Sequence, residues 1–299
     1  MHMFHPGLPE FDYIQPASLV EASRYLAEHA NEARPFMGGT DTFVRMRDGF
    51  WRERHLVDVK GLEGMGKIGF DAQRGLTLGA AVNMNRVIAS PQVRDHYPLL
   101  AEAARTVASY PLRTRATIVG NITNASPAGD TTGACMVYGA VLAVHGVDGF
   151  RQVPLEGFFV GPGKTVLQPG DIVTSILFPL PPKGCAGRYI KLGRNAIGDL
   201  AIVGVTVLGF PDDKARSGYR FRIALASVAP VPLRATLAEE MLASDSVHEG
   251  TIARAAQAAM EACSPIDDVR ASARYRALMI RNLTRQALHD VWQRVRKSD

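Results

Sequence analysis

The segments Gly38-Gly39-Thr40-Asp41 and Gly120-Asn121-Ile122-Thr123-Asn124-Ala125-Ser126-Pro127-Ala128-Gly129-Asp130 carry few bulky side chains. Each follows a short apolar stretch, residues 35–37 and 117–119, which predicts a strand that ends where the bare segment begins. Backbone N–H groups left uncovered at such a turn form a nest that binds an anion. The two segments therefore predict one long, phosphate-bearing ligand that is held at two points.

The second segment also supplies side chains suited to a sugar-containing ligand. Thr117, Asn121, Thr123 and Ser126 offer neutral hydrogen-bonding groups, and Asp130 offers an acceptor for ribose or ribityl hydroxyls. A carboxylate beside a pyrophosphate would repel it, so we expect Asp130 to face hydroxyls. The residues alone also permit a simpler interpretation, in which both segments are tight turns and Asp130 caps a helix over residues 131–138.

Known catalytic and nucleotide-binding motifs are absent from the sequence. It contains no Gly-x-x-x-x-Gly-Lys-Ser/Thr loop, no Gly-x-Gly-x-x-Gly fingerprint and no Gly-x-Ser-x-Gly elbow. Its three cysteines, Cys135, Cys185 and Cys263, form no Cys-x-x-Cys pair, which argues against a metal or iron–sulfur site within the chain. We predict no catalytic side chain and no metal ligand; a bound cofactor would perform the chemistry.

Composition restricts the class of protein. With 299 residues and 46% hydrophobic content, the chain is long enough for one large or two medium domains. Its longest apolar stretch, residues 201–210, is far shorter than the ~20 residues of a membrane span, and residues 1–6 lack the pattern of a secretory signal. A net charge of +5 with 7% aromatic residues does not suggest nucleic-acid binding. We predict a cytoplasmic location.

The predicted elements mix α and β structure. Ser18 and Glu21 predict a capping box at the start of a first helix. The proline-rich residues 178–184 predict a domain boundary, and the strands expected over 200–210 and 219–228 predict a hairpin beyond it. We therefore expect one domain over residues 1–182, with subdomains of about 1–60 and 61–182, and a second over residues 185–299.

Several motifs, taken in their order along the chain, resemble those of one known family. They are residues 11–18 (FDYIQPAS), 37–41 (MGGTD), 117–130, 191–194 (KLGR), 199–203 (DLAIV), 228–234 (VAPVPLR) and 264–272 (SPIDDVRAS). In this order they resemble the medium, FAD-binding subunit of the molybdenum hydroxylases, the group that includes xanthine dehydrogenase and aerobic carbon monoxide dehydrogenase.

The resemblance implies an α+β fold. Its first part is an FAD-binding domain of the PCMH type, shared with vanillyl-alcohol oxidase and the cell-wall enzyme that reduces enolpyruvyl-UDP-N-acetylglucosamine. A smaller α/β domain of the CO dehydrogenase flavoprotein C-terminal type follows.

The resemblance also implies a set of FAD contacts. Residues 36–43 and 117–121 would enclose the pyrophosphate from two sides, Asp130 would hold hydroxyls, Val107 and Val173 would line the ring or adenine pockets, and Lys191 would lie near the isoalloxazine. The complete set is Phe36, Met37, Gly38, Gly39, Thr40, Asp41, Thr42, Phe43, Val107, Thr117, Ile118, Gly120, Asn121, Thr123, Asp130, Val173 and Lys191. The alternative for Lys191 is a solvated position at a strand end.

The sequence departs from the family pattern at two places. Val119 stands where the family usually has the first of two glycines, which raises the question of whether the backbone there needs a positive φ. The four-cysteine insertion that carries a 4Fe–4S cluster in some relatives is absent.

By this resemblance, the chain binds FAD and passes electrons from a 2Fe–2S small subunit to an external acceptor. The molybdopterin cofactor and the oxidised substrate would belong to a separate large subunit, and the complex would be a dimer of heterotrimers. Two alternatives stay open: a flavin-free scaffold subunit of such a complex, and a free-standing flavin reductase.

Overall fold

The computed structural model describes residues 7–195 and 198–297. Residues 1–6, for which the sequence predicts no secretory signal, lie outside the described part. Within it, the strands form a three-stranded, a five-stranded, a four-stranded and a two-stranded sheet. This mixture of helices and separate sheets confirms the predicted α+β class. None of the described helices combines the length and the apolar character that crossing a membrane would require.

The first sheet lies in the N-terminal part of the chain. Its elements are β1 (Asp12–Ile14), α1 (Leu19–Glu28), β2 (Ala33–Phe36), α2 (Thr42–Arg47) and β3 (His55–Asp58), and the parallel strands lie in the order β1-β3-β2. Ser18 Oγ accepts the Glu21 N–H at 3.1 Å, as the predicted capping box requires. The Glu21 carboxylate bonds the Ala17 N–H at 2.8 Å rather than that of Ser18.

A five-stranded antiparallel sheet forms the centre of the next part. Its strands are β4 (Ile68–Asp71), β5 (Gly75–Gly79), β6 (Val141–Gly146), β7 (Gly149–Pro154) and β10 (Ile172–Phe178), in the order β4-β5-β10-β6-β7. Between β5 and β6 lie α3 (Met84–Ala89), α4 (Pro91–His96), α5 (Pro98–Arg105), α6 (Tyr110–Arg113), α7 (Ile118–Thr123) and α8 (Thr132–Val137). A small hairpin, β8 (Phe159–Gly161) and β9 (Lys164–Thr165), precedes β10.

The last part is a four-stranded sheet with three helices on one face. It contains β11 (Ala186–Leu192), β12 (Val203–Pro211), β13 (Tyr219–Ala226), β14 (Leu233–Arg234), α9 (Thr236–Ser244), α10 (Glu249–Glu261) and α11 (Ala273–Val295). β12 and β13 pair antiparallel, so the predicted hairpin is confirmed, although its first strand begins at Val203. Apolar residues of this hairpin and of α10 and α11 share one hydrophobic cluster.

The predicted strand over residues 117–119 is wrong. These residues open α7, and Thr117 is its N-cap, because Thr117 Oγ1 accepts the Gly120 N–H at 2.9 Å. A β-branched apolar triplet favours a strand, but a threonine that captures an N–H three residues later begins a helix. The first apolar stretch behaves as predicted, since Phe36 ends β2 just before the glycines.

An arginine in α11 anchors the loop that precedes this helix. The Arg276 side chain is 4% exposed, and its Nη1 donates to the Ile202 and Ser227 carbonyls at 2.7 and 3.1 Å. Its Nη2 forms an ion pair with Asp268 at 2.7 Å. Although burial acts in the opposite direction, this arginine and the N–H groups of Arg270 and Ala271 lower the pKa of Asp268 to about 2.

We expect Asp268→Asn to destabilise the protein by about 1–2 kcal/mol at pH 7, less than the pKa shift alone implies because solvent screens a partly exposed carboxylate. A lowered folded-state pKa gives stability that is present above the unfolded value of about 3.9 and is lost toward pH 2. Urea unfolding should therefore show the two proteins converging as the pH falls from 4 to 2. Asp95→Asn is the control, since Asp95 is exposed and its carboxylate makes no hydrogen bond or ion pair with the described residues; an equal loss in both variants would contradict the assignment.

Candidate functional site

A cleft of about 500 Å³ lies where the first sheet meets the helices of the five-stranded part. Its walls come from segments that are distant in sequence. They are the C-terminal half of α1, residues 33–42 at the end of β2, residues 107–130 around α7, residues 163–173 before and at the start of β10, and residues 198–200 ahead of β12. The two glycine-rich segments thus lie in one cleft, as predicted.

Most of the residues proposed as ligand contacts line this cleft. They are Met37, Gly38, Gly39, Thr40, Asp41, Thr42, Val107, Thr117, Gly120, Asn121, Thr123, Asp130 and Val173. Three others lie behind it: Phe36 and Ile118 are buried, and the Phe43 ring packs 5.3 Å from that of Phe36. These side chains support the walls, and Lys191 contacts the cleft through Asp130.

The first glycine segment approaches the second very closely. A Cβ on Gly38 would lie 2.3 Å from the Arg115 carbonyl oxygen, so only glycine fits at this position. The N–H groups of Gly39, Thr40 and Asp41 donate no hydrogen bond to any described residue. Three consecutive free amides at a cleft wall are a donor set for an anion such as a phosphate.

The second segment is a helical turn with polar groups on the cleft side. Val119 lies within α7 and is not among the described residues with positive φ, so the backbone does not require glycine there. Asn121 Oδ1 accepts the Thr131 hydroxyl at 2.7 Å and fixes the turn that leads to α8. Asn124 also lines the cleft, and its buried Oδ1 has no hydrogen-bond partner in the described structure. An orphaned acceptor at this place fits a ligand hydroxyl.

Asp130 joins the cleft wall to the C-terminal sheet. Its Oδ1 accepts the Tyr189 hydroxyl at 2.7 Å and its Oδ2 accepts Lys191 Nζ at 2.8 Å, both from β11. The Asp130 and Lys191 side chains are 7% and 12% exposed. Burial raises the pKa of Asp130, and the Lys191 ammonium opposes that rise.

Two of the simpler interpretations are therefore wrong. Asp130 does not cap α8, since the N-cap of that helix is Thr131 and makes no side-chain cap bond. Lys191 is not solvated, because its ammonium is held between Asp130 and the Thr106 carbonyl, 3.1 Å away. The lysine contributes a buried positive charge close to the cleft.

The sequence did not reveal several lining residues. Arg34 and Trp51 contribute from the first sheet and the loop before β3, and residues 163–172 form a whole wall. The Ser23 hydroxyl holds that wall by donating to the Gly170 carbonyl at 2.7 Å, across 147 positions. No local pattern marks such residues, because long-range packing alone brings them to the cleft.

Comparisons with known proteins agree with this geometry. Residues 9–181 match a family described as the FAD binding domain in molybdopterin dehydrogenase, and residues 188–291 match the CO dehydrogenase flavoprotein C-terminal domain. The carbon monoxide dehydrogenase medium chain of Hydrogenophaga pseudoflava is 32% identical over 286 residues, covering 96% of this chain and 98% of that one. A putative xanthine dehydrogenase FAD-binding subunit of Escherichia coli is 29% identical, covering 93% and 94%.

The same similarity holds in three dimensions. A solved structure of the carbon monoxide dehydrogenase from Hydrogenophaga pseudoflava, one that lacks the Mo-pyranopterin moiety of the molybdenum cofactor, matches with a TM-score of 0.91. The sequence identity is 32%, and the match covers 96% of this chain and 98% of that chain. These findings confirm the resemblance and the predicted fold class.

The close contact at Gly38 gives a test of the cleft geometry. We expect Gly38→Ala to destabilise the protein by about 1–3 kcal/mol, because the new methyl group must push the Arg115 backbone away. Gly69→Ala is the matched control, since a Cβ at this exposed position in β4 meets no atom within 4 Å. Urea unfolding at pH 7 measures both variants, and a Gly38→Ala protein as stable as the control would refute the contact.

Proposed function

Since this chain belongs to the family of FAD-binding subunits of the molybdenum hydroxylases, we propose that it binds FAD without a covalent bond and passes electrons onward. The electrons would come from a 2Fe–2S partner subunit and leave to an external acceptor. The observation that carries this proposal is the cleft itself, which both glycine-rich segments line and in which the N–H groups of Gly39, Thr40 and Asp41 donate to no described residue. FAD supplies the redox chemistry when it is bound, and the protein binds, orients and tunes it.

The two glycine-rich segments would hold the pyrophosphate. The N–H groups of Gly39, Thr40 and Asp41 are free to donate, and Gly38 brings the Arg115 backbone alongside them. Thr117 and Gly120 also line the cleft, and the Gly120 N–H is used in the N-cap bond to Thr117 Oγ1 at 2.9 Å, which orders this turn. An ordered turn binds a ligand more tightly than a mobile one, because no ordering cost remains to be met on binding.

The Asp130–Lys191 pair would determine how the flavin half is held. Asp130 Oδ2 faces Lys191 and Oδ1 faces Tyr189, and each carboxylate oxygen has a second lone pair for a ligand hydroxyl. Lys191 would place a positive charge near the flavin ring, which favours a reduced, anionic ring over an oxidised, neutral one. The Asp130 carboxylate moderates that field, since it lies 2.8 Å from the ammonium.

The proposed partners follow from the family. A 2Fe–2S small subunit would deliver electrons, and a molybdopterin-binding large subunit would hold the oxidised substrate, in a cytoplasmic dimer of heterotrimers. The relatives are named as a medium chain and as an FAD-binding subunit, which supports a multi-chain assembly. The alternative of a flavin-free scaffold subunit was suggested by Val119, which stands in place of a family glycine. Valine is compatible with the helical backbone at this position, so this residue no longer supports that alternative.

The direct test of this proposal is cofactor content. We expect the purified recombinant chain to show flavin absorption near-stoichiometric with protein, and heating to release FAD into the supernatant, where chromatography separates it from FMN. A chain that folds, assembles with its partners and yet contains no flavin would instead support the scaffold alternative.

The two charged residues should differ in their effects. Asp130→Ala should weaken FAD retention more than Lys191→Met does, because the aspartate contacts hydroxyls whereas the lysine acts through its charge. Lys191→Met should mainly lower the flavin reduction potential, since it removes the cation that favours the reduced ring. Ultrafiltration measures FAD retention and a dye-coupled titration measures the potential.

Tyr189→Phe provides the matched control for these variants. It removes the 2.7 Å bond to Asp130 without changing any charge, so it should leave the potential nearly unchanged. Far-UV circular dichroism verifies folding, since removing one member of a buried ion pair destabilises a protein. Equal effects of Asp130→Ala and Lys191→Met on retention and potential would contradict the assigned roles.

A further inference from the structure

The net positive charge of the protein belongs to the last part of the chain. Residues 1–184 contain 17 lysines and arginines and 17 aspartates and glutamates, whereas residues 185–299 contain 17 and 12. Part of this surplus lines a second cavity of about 920 Å³, which shares no lining residue with the cleft. It lies between α9 and the turn that joins β12 to β13. The proposed function makes no use of this cavity.

The cavity lies beside an open stretch of sheet edge. β14 pairs with only two residues of β13, so residues 219–223 have no described strand beyond them. Ile223 turns its N–H and its carbonyl to this side, where they bond Glu239 Oε1 at 2.7 Å and the Ala235 N–H at 2.9 Å. Main-chain groups alternate along a strand, so the N–H of Phe221, which lines the cavity, faces the same side and donates to no described residue there.

The strand register brings three guanidinium groups to one face of this sheet. Arg220 and Arg222 lie two positions apart on β13, and Arg234 of β14 pairs with Ala224, two positions further along. Side chains two apart on a strand share a face, and so do residues directly opposite on neighbouring strands. All three arginines line the cavity.

Positive charges outnumber negative ones among the residues that line the cavity. The cations are Lys214, Arg216, Arg220, Arg222 and Arg234, and the carboxylates are Asp212, Glu239 and Glu240. Arg220 is paired with Asp212, and Arg234 is paired with Glu239 through two bonds. The side chains of Lys214 and Arg216 are exposed and make no hydrogen bond or ion pair with the described residues. The lining therefore carries a surplus of two positive charges.

Arg222 is a half-buried cation to which no described carboxylate is hydrogen-bonded. Its Nη1 donates to the Val137 carbonyl at the end of α8 at 2.8 Å, and its guanidinium carbon lies 5.3 Å from the centre of the Phe210 ring. Its other N–H groups have no acceptor among the described residues. Burial, and next the charge of Arg234, lower the pKa of Arg222. An anion in the cavity would supply the counter-charge that this guanidinium lacks.

We propose that this cavity is a second ligand site, for a small molecule that carries a phosphate dianion. A dianion neutralises the surplus of two charges, and guanidinium groups with a main-chain N–H match the oxygens of a phosphate. The volume of about 920 Å³ is within the range of small-molecule sites and leaves room for an organic group beyond the phosphate.

The test is a calorimetric titration of the full chain with inorganic phosphate at pH 7.5 and low ionic strength. FAD is present, so that phosphate cannot occupy the cleft. We expect one phosphate site per chain. Arg222→Met removes a charged donor but keeps an apolar stem, so it should weaken phosphate binding roughly 10- to 150-fold. Lys214→Met removes an exposed charge at the rim and should weaken binding about 2- to 5-fold.

Arg281→Met is the matched control. Arg281 is exposed on α11, does not line the cavity and makes no hydrogen bond or ion pair with the described residues. The variant loses the same charge as Arg222→Met, so it should leave the phosphate dissociation constant unchanged. Titration with AMP identifies the source of the phosphate: tighter binding of AMP than of inorganic phosphate assigns an organic phosphate, and equal binding assigns the free ion.

Three results would overturn the assignment. Phosphate might fail to bind while a tetraglutamate peptide binds, which would assign the cavity to a protein partner; it might fail to bind in the absence of any such peptide binding, which would leave no anion site; or Arg222→Met and Arg281→Met might weaken binding equally, which would show attraction by net charge alone. Lys214→Met keeps the test decisive if Arg222→Met does not fold. The comparison of variants also stands if the unaltered chain binds no flavin, so the outcome is independent of the proposed function.

Discussion

The structure depends most on the buried ion pair between Asp130 and Lys191. The two side chains meet at 2.8 Å across the interface between the cleft and the C-terminal sheet, and Tyr189 adds a second bond to the same carboxylate. Removing one member of such a pair leaves an uncompensated buried charge, at a cost of about 3–5 kcal/mol. This interaction joins β11, which pairs with β12 along its whole length, to the cleft wall.

A second constraint, the close approach at Gly38, completes the cleft. Without a side chain at this position, the end of β2 comes within contact of the Arg115 carbonyl. Gly39 to Asp41, whose N–H groups donate to no described residue, line the same cleft as residues of α7. The ion pair and the glycine each hold residues of the cleft wall in place, so ligand affinity and fold stability depend on the same contacts.

Sequence patterns that span a few residues correctly predicted the structural elements that depend on neighbouring residues alone. The helix cap at Ser18 and the antiparallel strands on either side of residues 212–218 needed no long-range information. Residues 117–119 show the limit of such patterns, because a β-branched triplet was taken for a strand although Thr117 begins a helix. Trp51 and the wall over residues 163–172 were not predicted at all, since their place at the cleft depends on packing such as the Ser23–Gly170 bond.

The dispersal of the cleft along the chain has a consequence for biosynthesis. Its walls come from segments that begin near residue 26 and end at residue 200. During synthesis from the N-terminus, no binding site exists until about two thirds of the chain has left the ribosome and the strand carrying Lys191 has docked. A ligand that binds only this docked state stabilises it by mass action. Loading with the cofactor therefore follows the synthesis of about two thirds of the chain.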